Sequence, residues 1–426
     1  MAWPDGGTTI PDPPSSVRSV EGRAAVGVRG ILADRTVGVV VLLAFVLMLG
    51  AGISFPILPL FARSFGGGYE SAGIFVAVYS FARLLADLGG GIVVDRVGER
   101  LAAAGGLAVV AVMTALTGLA PTYALATAAY ACSGIGSAVV FAAMYSQLLK
   151  TVPQERMART LSVFYGAFNV GIVAGGLAAG VIADRLGLAA PLFFTAGIAA
   201  LGALIYLRLV PAPKSVATGR RPAGGTLATV RRVLRTPGFT MVLVTNFAYL
   251  WMIVAVFDTL LPLFADSLGM STIGIGVVFA ISLAVELAVL YPAGSLADRH
   301  GRRTVLIPAL VGLGLATIAV GWAGSPLWLG VAMALLGIAS GFAGVPPGAM
   351  LSDVMPRDAS GTAVGVFRFA GDLGFTLGPL VAGYGAAHLG FEAAFALTAI
   401  PTLLALVVVV RGQETLGAAS AAEEPA

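Results

Sequence analysis

Five ionisable residues stand deep within runs that are otherwise apolar. Arg83 and Asp87 interrupt the run 70–94, Glu286 the run 272–297, and Arg368 and Asp372 the run 361–386. A charge inside a membrane segment is costly and persists where it finds a partner or serves a proton or substrate path. At 1.5 Å of rise per residue, counting inward from Asp95 sets Asp87 about 12 Å and Arg83 about 18 Å deep. Counting from residue 360 sets Arg368 about 12 Å and Asp372 about 18 Å deep. Depth therefore matches Arg83 with Asp372 and Asp87 with Arg368. The i,i+4 spacing equally allows Arg83–Asp87 and Arg368–Asp372 within one helix, and the sequence leaves both pairings open.

Glu286 lies at the depth of Arg83, about 18 Å, with no Lys or Arg at its level. A carboxylate without a counter-ion in a low dielectric is readily neutralised by a proton. Glu286 is thus the first candidate for a proton-coupling site and Asp372 the second; a protonated, purely structural glutamate is the alternative. Tyr165, Asn169 and Asp258 are candidate cavity residues. Counting along its span puts Asp258 near the extracellular end, in a water-filled vestibule. Asp184 and Arg185 read as a local ion pair.

These charges are rare in their setting. The chain has 426 residues, 58% hydrophobic and only 11% charged, with mean hydropathy +0.95. A soluble domain carries about a quarter charged residues, so this is an all-α membrane protein whose backbone is satisfied within helices. Twelve spans fit, near 37–62, 70–94, 101–119, 122–149, 157–182, 188–209, 238–264, 272–297, 303–323, 326–350, 361–386 and 389–410. Residues 1–36 read as a disordered cytosolic tail, 37–210 and 237–411 as two six-helix bundles, 211–236 as a cytosolic linker and 412–426 as a second tail. Of 25 Lys and Arg, only Arg63 and Arg185 then fall outside, with Arg83 and Arg368 inside spans. This bias puts both termini in the cytosol. It also accounts for the net charge of +4 without a nucleic-acid partner.

The single Cys132 and the distant His300 and His388 offer no disulfide or metal site. No phosphate-binding Gly-x-x-x-x-Gly-Lys loop, His-Glu-x-x-His or Gly-x-Ser-x-Gly occurs. The expectation is a protein that is not an enzyme and needs no cofactor.

The two bundles are copies. A shift of 203 residues lays PLFARSFG (59–66) on PLFADSLG (262–269) and GIVVDRVGER (91–100) on GSLADRHGRR (294–303). It also lays Pro153 on Pro356, and VFYGAFNVGIVAGGLAAG (163–180) on VFRFAGDLGFTLGPLVAG (366–383). Gly98 and Gly301 suit tight reversals. Gly91 and Gly294 suit close helix approach. Asp95 could accept from a helix N-terminus or pair with an arginine, while Arg96 and Arg100 stay in the cytosol.

Two halves, a basic linker and a duplicated Gly-x-x-x-Asp-Arg-x-Gly loop resemble the major facilitator superfamily over residues 37–410. The first copy matches at Gly91, Asp95, Arg96, Gly98 and Arg100, with Glu99 where the family has a basic residue. The second is complete at Gly294, Asp298, Arg299, Gly301, Arg302 and Arg303. The resemblance implies two pseudo-symmetric bundles that alternate access. It also implies a cytosolic latch that favours the outward-open state; the plainer alternative is a positively charged turn. Resemblance to the twelve-helix drug/proton efflux members implies proton-driven export of a small hydrophobic or amphipathic molecule, from a monomer in the cell membrane. Two departures stand against an antiporter: the fifth helix keeps Gly171, Gly175, Gly176 and Gly180 but lacks the signature proline, and Tyr130 stands near the arginine expected in the fourth. A facilitator, a substrate–proton symporter, or a non-transporting sensor or scaffold are the alternatives.

Overall fold

In a computed structural model the described residues are 32, 34–152, 154–210, 227–356 and 359–416; side-chain surroundings are further left out at 88–92, 149, 154, 155, 158, 159, 227, 360 and 361. Pro153, most of both expected tails, residues 211–226 of the expected linker and the surroundings of Gly91 therefore lie outside them. Among the described residues, eleven helices are long and apolar enough to cross a membrane. The twelfth, Tyr69–Val97, is 29 residues long and holds Arg83 and Asp87. The even number of spans returns the chain to the side where it started, here called the terminal side; the other is the far side.

Local chemistry sets the helix ends. Asp34 opens the first span by accepting at Oδ1 from Thr36 N (2.9 Å) and Val37 N (3.0 Å). Thr122, Ser271 and Ser325 cap the fourth, eighth and tenth spans through their hydroxyls. One residue alone separates the second span from the third, and one the eighth from the ninth. Gly98 (φ 82°) and Gly301 (φ 98°) fill these turns, a conformation that other L-residues adopt only under strain.

The first and seventh spans are distorted at the same repeat position. The first runs as Arg35–Ser54 and Leu58–Arg63, interrupted around Pro56. Its counterpart is Phe239–Met252, a π-helical stretch Ile253–Leu260, and Leu261–Ser267. There Thr259 Oγ1 donates to Val254 O at 3.0 Å, five residues back. Such stretches are rare and recur at functional sites. Phe55 and Asp258 occupy the two distorted positions.

The halves meet through the second span against the eleventh and the fifth against the eighth. Lipid offers no hydrophobic drive for this contact, so small residues and close packing supply it. At the far side a Cβ on Gly383 would lie 2.9 Å from Gly73 Cα, and one on Gly180 2.3 Å from Thr272 O. These are backbone atoms that cannot yield. Gly294, by contrast, would meet only Val345 at 3.7 Å. The expected close helix approach is not at that loop glycine: the eighth span's tight contacts fall at Gly276 against the fifth span and at Ser282 and Glu286 against the tenth.

Candidate functional site: a central cavity between the halves

A cavity of about 350 Å³ lies between the halves, with walls from both. Its surface is mostly apolar and aromatic, with Tyr79, Tyr130, Phe168 and Phe257 among the lining side chains. Tyr130 is buried and stacks between Phe75 (4.8 Å) and Tyr79 (4.7 Å). Four polar groups expected from the sequence face this space: Arg83, Asn169, Asp258 and Glu286. Glu286 is only 9% exposed. Its Oε1 accepts from the Tyr249 hydroxyl at 2.7 Å, while Oε2 has no hydrogen-bond partner. No ion pair among the described residues reaches it.

Asp258 departs from the vestibule expectation. It is 9% exposed between fully buried Phe257 and Thr259. The span continues to Ser267, which sets Asp258 about 13 Å below the far end. Tyr165 departs too: it is 42% exposed and does not line the cavity. On its helix Phe164 and Phe168, four residues apart, share the cavity face with Ile172, and Tyr165 is turned about 100° away.

The intramembrane charges gather around Asp87. Its Oδ2 lies 3.9 Å from Arg83 Nε in the same helix and 3.8 Å from Arg368 Nη2 of the other half. One expected cross-half pair is thus present, together with one expected in-helix pair. Arg83 turns to Asp87 and makes no ion pair with Asp372. Asp372 stands within electrostatic reach of Arg83, Asp87 and Arg368. The Arg368 guanidinium also sits 4.8 Å over the Phe141 ring of the opposite half.

Beyond the cavity the far side is sealed. Arg63 bonds Asp266 at 3.2 Å, Tyr69 meets Phe391 edge-on at 4.9 Å, and Thr272 donates to Gly180 O at 3.1 Å. Thr272 also reaches Asp184 at 3.5 Å. Asp184 therefore faces the other half, and the expected Asp184–Arg185 pair is absent among the described ion pairs. The Asp87–Arg368 and Arg63–Asp266 pairs and the bonds of Thr272 join the halves at the level of Asp87 or further toward the far side.

On the terminal side the two loop copies hold different bonds in the same places. In the second, Arg302 bonds Asp298 and, at 3.2 Å, Asp353. In the first, Glu99 is 1% exposed, bonds Lys150 and accepts from Ser146 at 2.8 Å. Arg100 donates to Leu207 O, and its counterpart Arg303 to Val409 O (2.9 Å) and Val410 O. Arg100 is thus tied to the sixth span rather than free in solvent. Asp95 and Arg96 are exposed, and Asp95 has neither expected partner among the described residues. The helix N-terminus of the second copy is instead capped from the chain's end: Glu414 accepts from Arg302 N (2.9 Å) and Arg303 N (3.0 Å).

A family model described as Major Facilitator Superfamily matches residues 40–290 and 265–425. The chain belongs to the major facilitator superfamily. Within it, the chain is similar to the multidrug resistance protein MdtG of Escherichia fergusonii, 34% identical over 154 residues, 35% of this chain and 37% of that protein. It is also similar to MdtG of Yersinia enterocolitica, 34% identical over 146 residues, 33% of this chain and 34% of that one. Each match therefore spans about a third of the relative. Among solved structures, the nucleoside transporter NupG superposes with TM-score 0.73 at 14% identity, over 88% of this chain and 99% of that one. A D-xylose–proton symporter gives 0.73 at 17%, over 90% and 99%, and the human organic anion transporter MFSD10 gives 0.64 at 19%, over 88% and 99%. At these identities the structures share the superfamily fold.

Within this superfamily architecture, three contacts escaped the sequence expectations. Tyr249 reaches Glu286 from 37 residues away, a distance that no helical spacing announces. Glu414 folds back from beyond the last span, which only the folded chain shows. Lys150 was findable: the shift that lays Glu99 on Arg302 also lays Lys150 on Asp353.

Proposed function

We propose that this chain is a secondary active transporter that exports a small hydrophobic or amphipathic molecule by alternating access, coupled to protons at Glu286. The observation that carries the reading is an aromatic cavity shared by both halves that holds a buried carboxyl with one oxygen unpartnered. Protonation of such a group and occupancy of the cavity beside it can bias one another, and a coupling of that kind is sufficient to link two fluxes.

The basic residues of the terminal side support a cytosolic orientation for both termini. With the far side sealed, the cavity is then cut off from the outside, the arrangement in which an exporter loads. Export requires that the far-side contacts part and that the terminal side closes, with the Asp87–Arg368 contact re-formed or tightened between. One chain supplies both walls, which supports a monomer as the working unit.

The test is reconstitution of the full chain in proteoliposomes with an imposed pH gradient and a panel of apolar and amphipathic compounds. The expected result is compound-dependent dissipation of the gradient, lost in Glu286→Gln while substrate exchange persists. Unchanged proton coupling in that variant would sink the assignment of Glu286, and the absence of flux for every compound would sink transport.

A further inference from the structure

We propose that the cavity selects a lipophilic organic cation and that Asp258 is the side chain facing its positive charge. The proposal rests on the transport reading above and narrows it to a substrate class.

The charge balance of the wall is its basis. Asp258 and Glu286 both line the cavity and both are 9% exposed. Asp258 makes no hydrogen bond or ion pair among those of the described residues, and Glu286 leaves Oε2 unpartnered. Arg83 is the one basic residue on the wall among the described residues, and it already lies 3.9 Å from Asp87. Buried charges are stable when paired, so the groups still wanting a partner are acids. An anion would meet two carboxyl groups and would have to draw Arg83 away from Asp87.

The surroundings suit the same ligand. Tyr79, Phe168 and Phe257 share the cavity wall with Asp258, and aromatic faces attract a cation most strongly where water is excluded. Asp258 also sits in the π-helical stretch of the seventh span. The same-position break in the first span carries Phe55, an apolar residue on the cavity wall. The duplication thus left one carboxyl rather than two at this level, beside an apolar wall that suits an apolar body.

Tetraphenylphosphonium and tetraphenylborate have nearly the same shape and opposite charge, and they isolate this claim. Equilibrium binding of each to the purified full chain in non-ionic detergent should show saturable binding of the phosphonium alone. Asp258→Asn should weaken it about tenfold or more, with Asp258→Glu retaining most of it. The proposal is overturned by comparable borate binding, by unaltered phosphonium affinity in Asp258→Asn, or by no saturable phosphonium binding. If Asp258→Asn does not melt like the parent protein, the comparison of the two ions on the parent protein still decides. Failure of the transport reading is separate: it appears as no flux for any compound, whereas failure here appears as flux confined to neutral or anionic ones.

Discussion

Glu99 is bonded to Lys150 at the position where Arg302 is bonded to Asp353, so the two halves carry one ion pair with its charges exchanged. Each pair ties the start of an odd-numbered span to the end of the next. The bond is kept although each partner has changed sign. A basic residue at position 99 is therefore not what the first loop needs; it needs a partner for residue 150.

This exchange predicts a rescue. Glu99 is buried, so Lys150→Glu or Glu99→Lys should each cost about 1–3 kcal/mol of stability. The lower end applies if the half-exposed lysine site relaxes into water. The double variant Glu99→Lys/Lys150→Glu should recover most of the loss, read as melting temperature in detergent. A double variant no better than the singles would mean that the pair is incidental.

Asp87 and Arg368 should behave as a unit across the two halves. Either Asp87→Arg or Arg368→Asp should abolish transport, and the swapped double variant should restore part of it. Recovery will be incomplete, because Asp87 also faces Arg83 and Arg368 also lies over Phe141. A double swap as inactive as the singles in proteoliposome flux would limit Asp87 to its in-helix contact.

Tyr249→Phe removes the one hydrogen bond that Glu286 makes to a side chain on the seventh span. Proton-coupled flux should fall several-fold and shift in pH dependence, with exchange less affected. A neutral-to-neutral hydrogen bond is worth about 1 kcal/mol and one to a charged group about 2 kcal/mol, which sets the size of the change. Equal loss of exchange and coupling would assign Tyr249 to packing instead.

Cation binding should weaken as pH falls, because a carboxyl that takes up a proton no longer offers its charge. Among the described residues, the ionisable groups that share the cavity wall with Asp258 are Tyr130 on the fourth span, Tyr79 and Arg83 on the second, Glu286 on the eighth and Tyr249 on its own. Among these only the carboxyls carry a negative charge that a proton would cancel. Phosphonium affinity that is flat with pH in the parent protein, measured by the same binding assay, would contradict the competition.

Glu414→Ala should destabilise the second half. It removes the acceptor for Arg302 N and Arg303 N, and loss of such a cap costs about 1 kcal/mol. Thr415, 2% exposed and 3.3 Å from Asp353 through its hydroxyl, should loosen with it. Faster amide exchange at the start of the ninth span would report this; unchanged exchange there would show the cap to be dispensable.

The duplication and the twelve spans were legible in the residues, because hydropathy and repeat spacing are properties of the chain itself. Rotation about a helix axis was not. It decides that Phe164 rather than Tyr165 faces the cavity, and that Arg83 turns to Asp87 rather than Asp372. Asp258 was misplaced for a related reason: its depth depends on where the span ends, and Ser267 lies beyond the apolar limit read from hydropathy. Glu414 shows a third limit, since a tail that folds back leaves no periodic trace.

The far-side bond between Arg63 and Asp266 joins residues that the repeat makes equivalent. A residue beside a two-fold axis meets its own copy. In a dimer of identical halves this contact would set arginine against arginine, or aspartate against aspartate, and it would repel. Attraction at that point requires two halves that can mutate separately, as they can within one continuous polypeptide. The closure of this doorway is therefore a product of divergence after duplication, available to a fused pair and denied to a symmetric one.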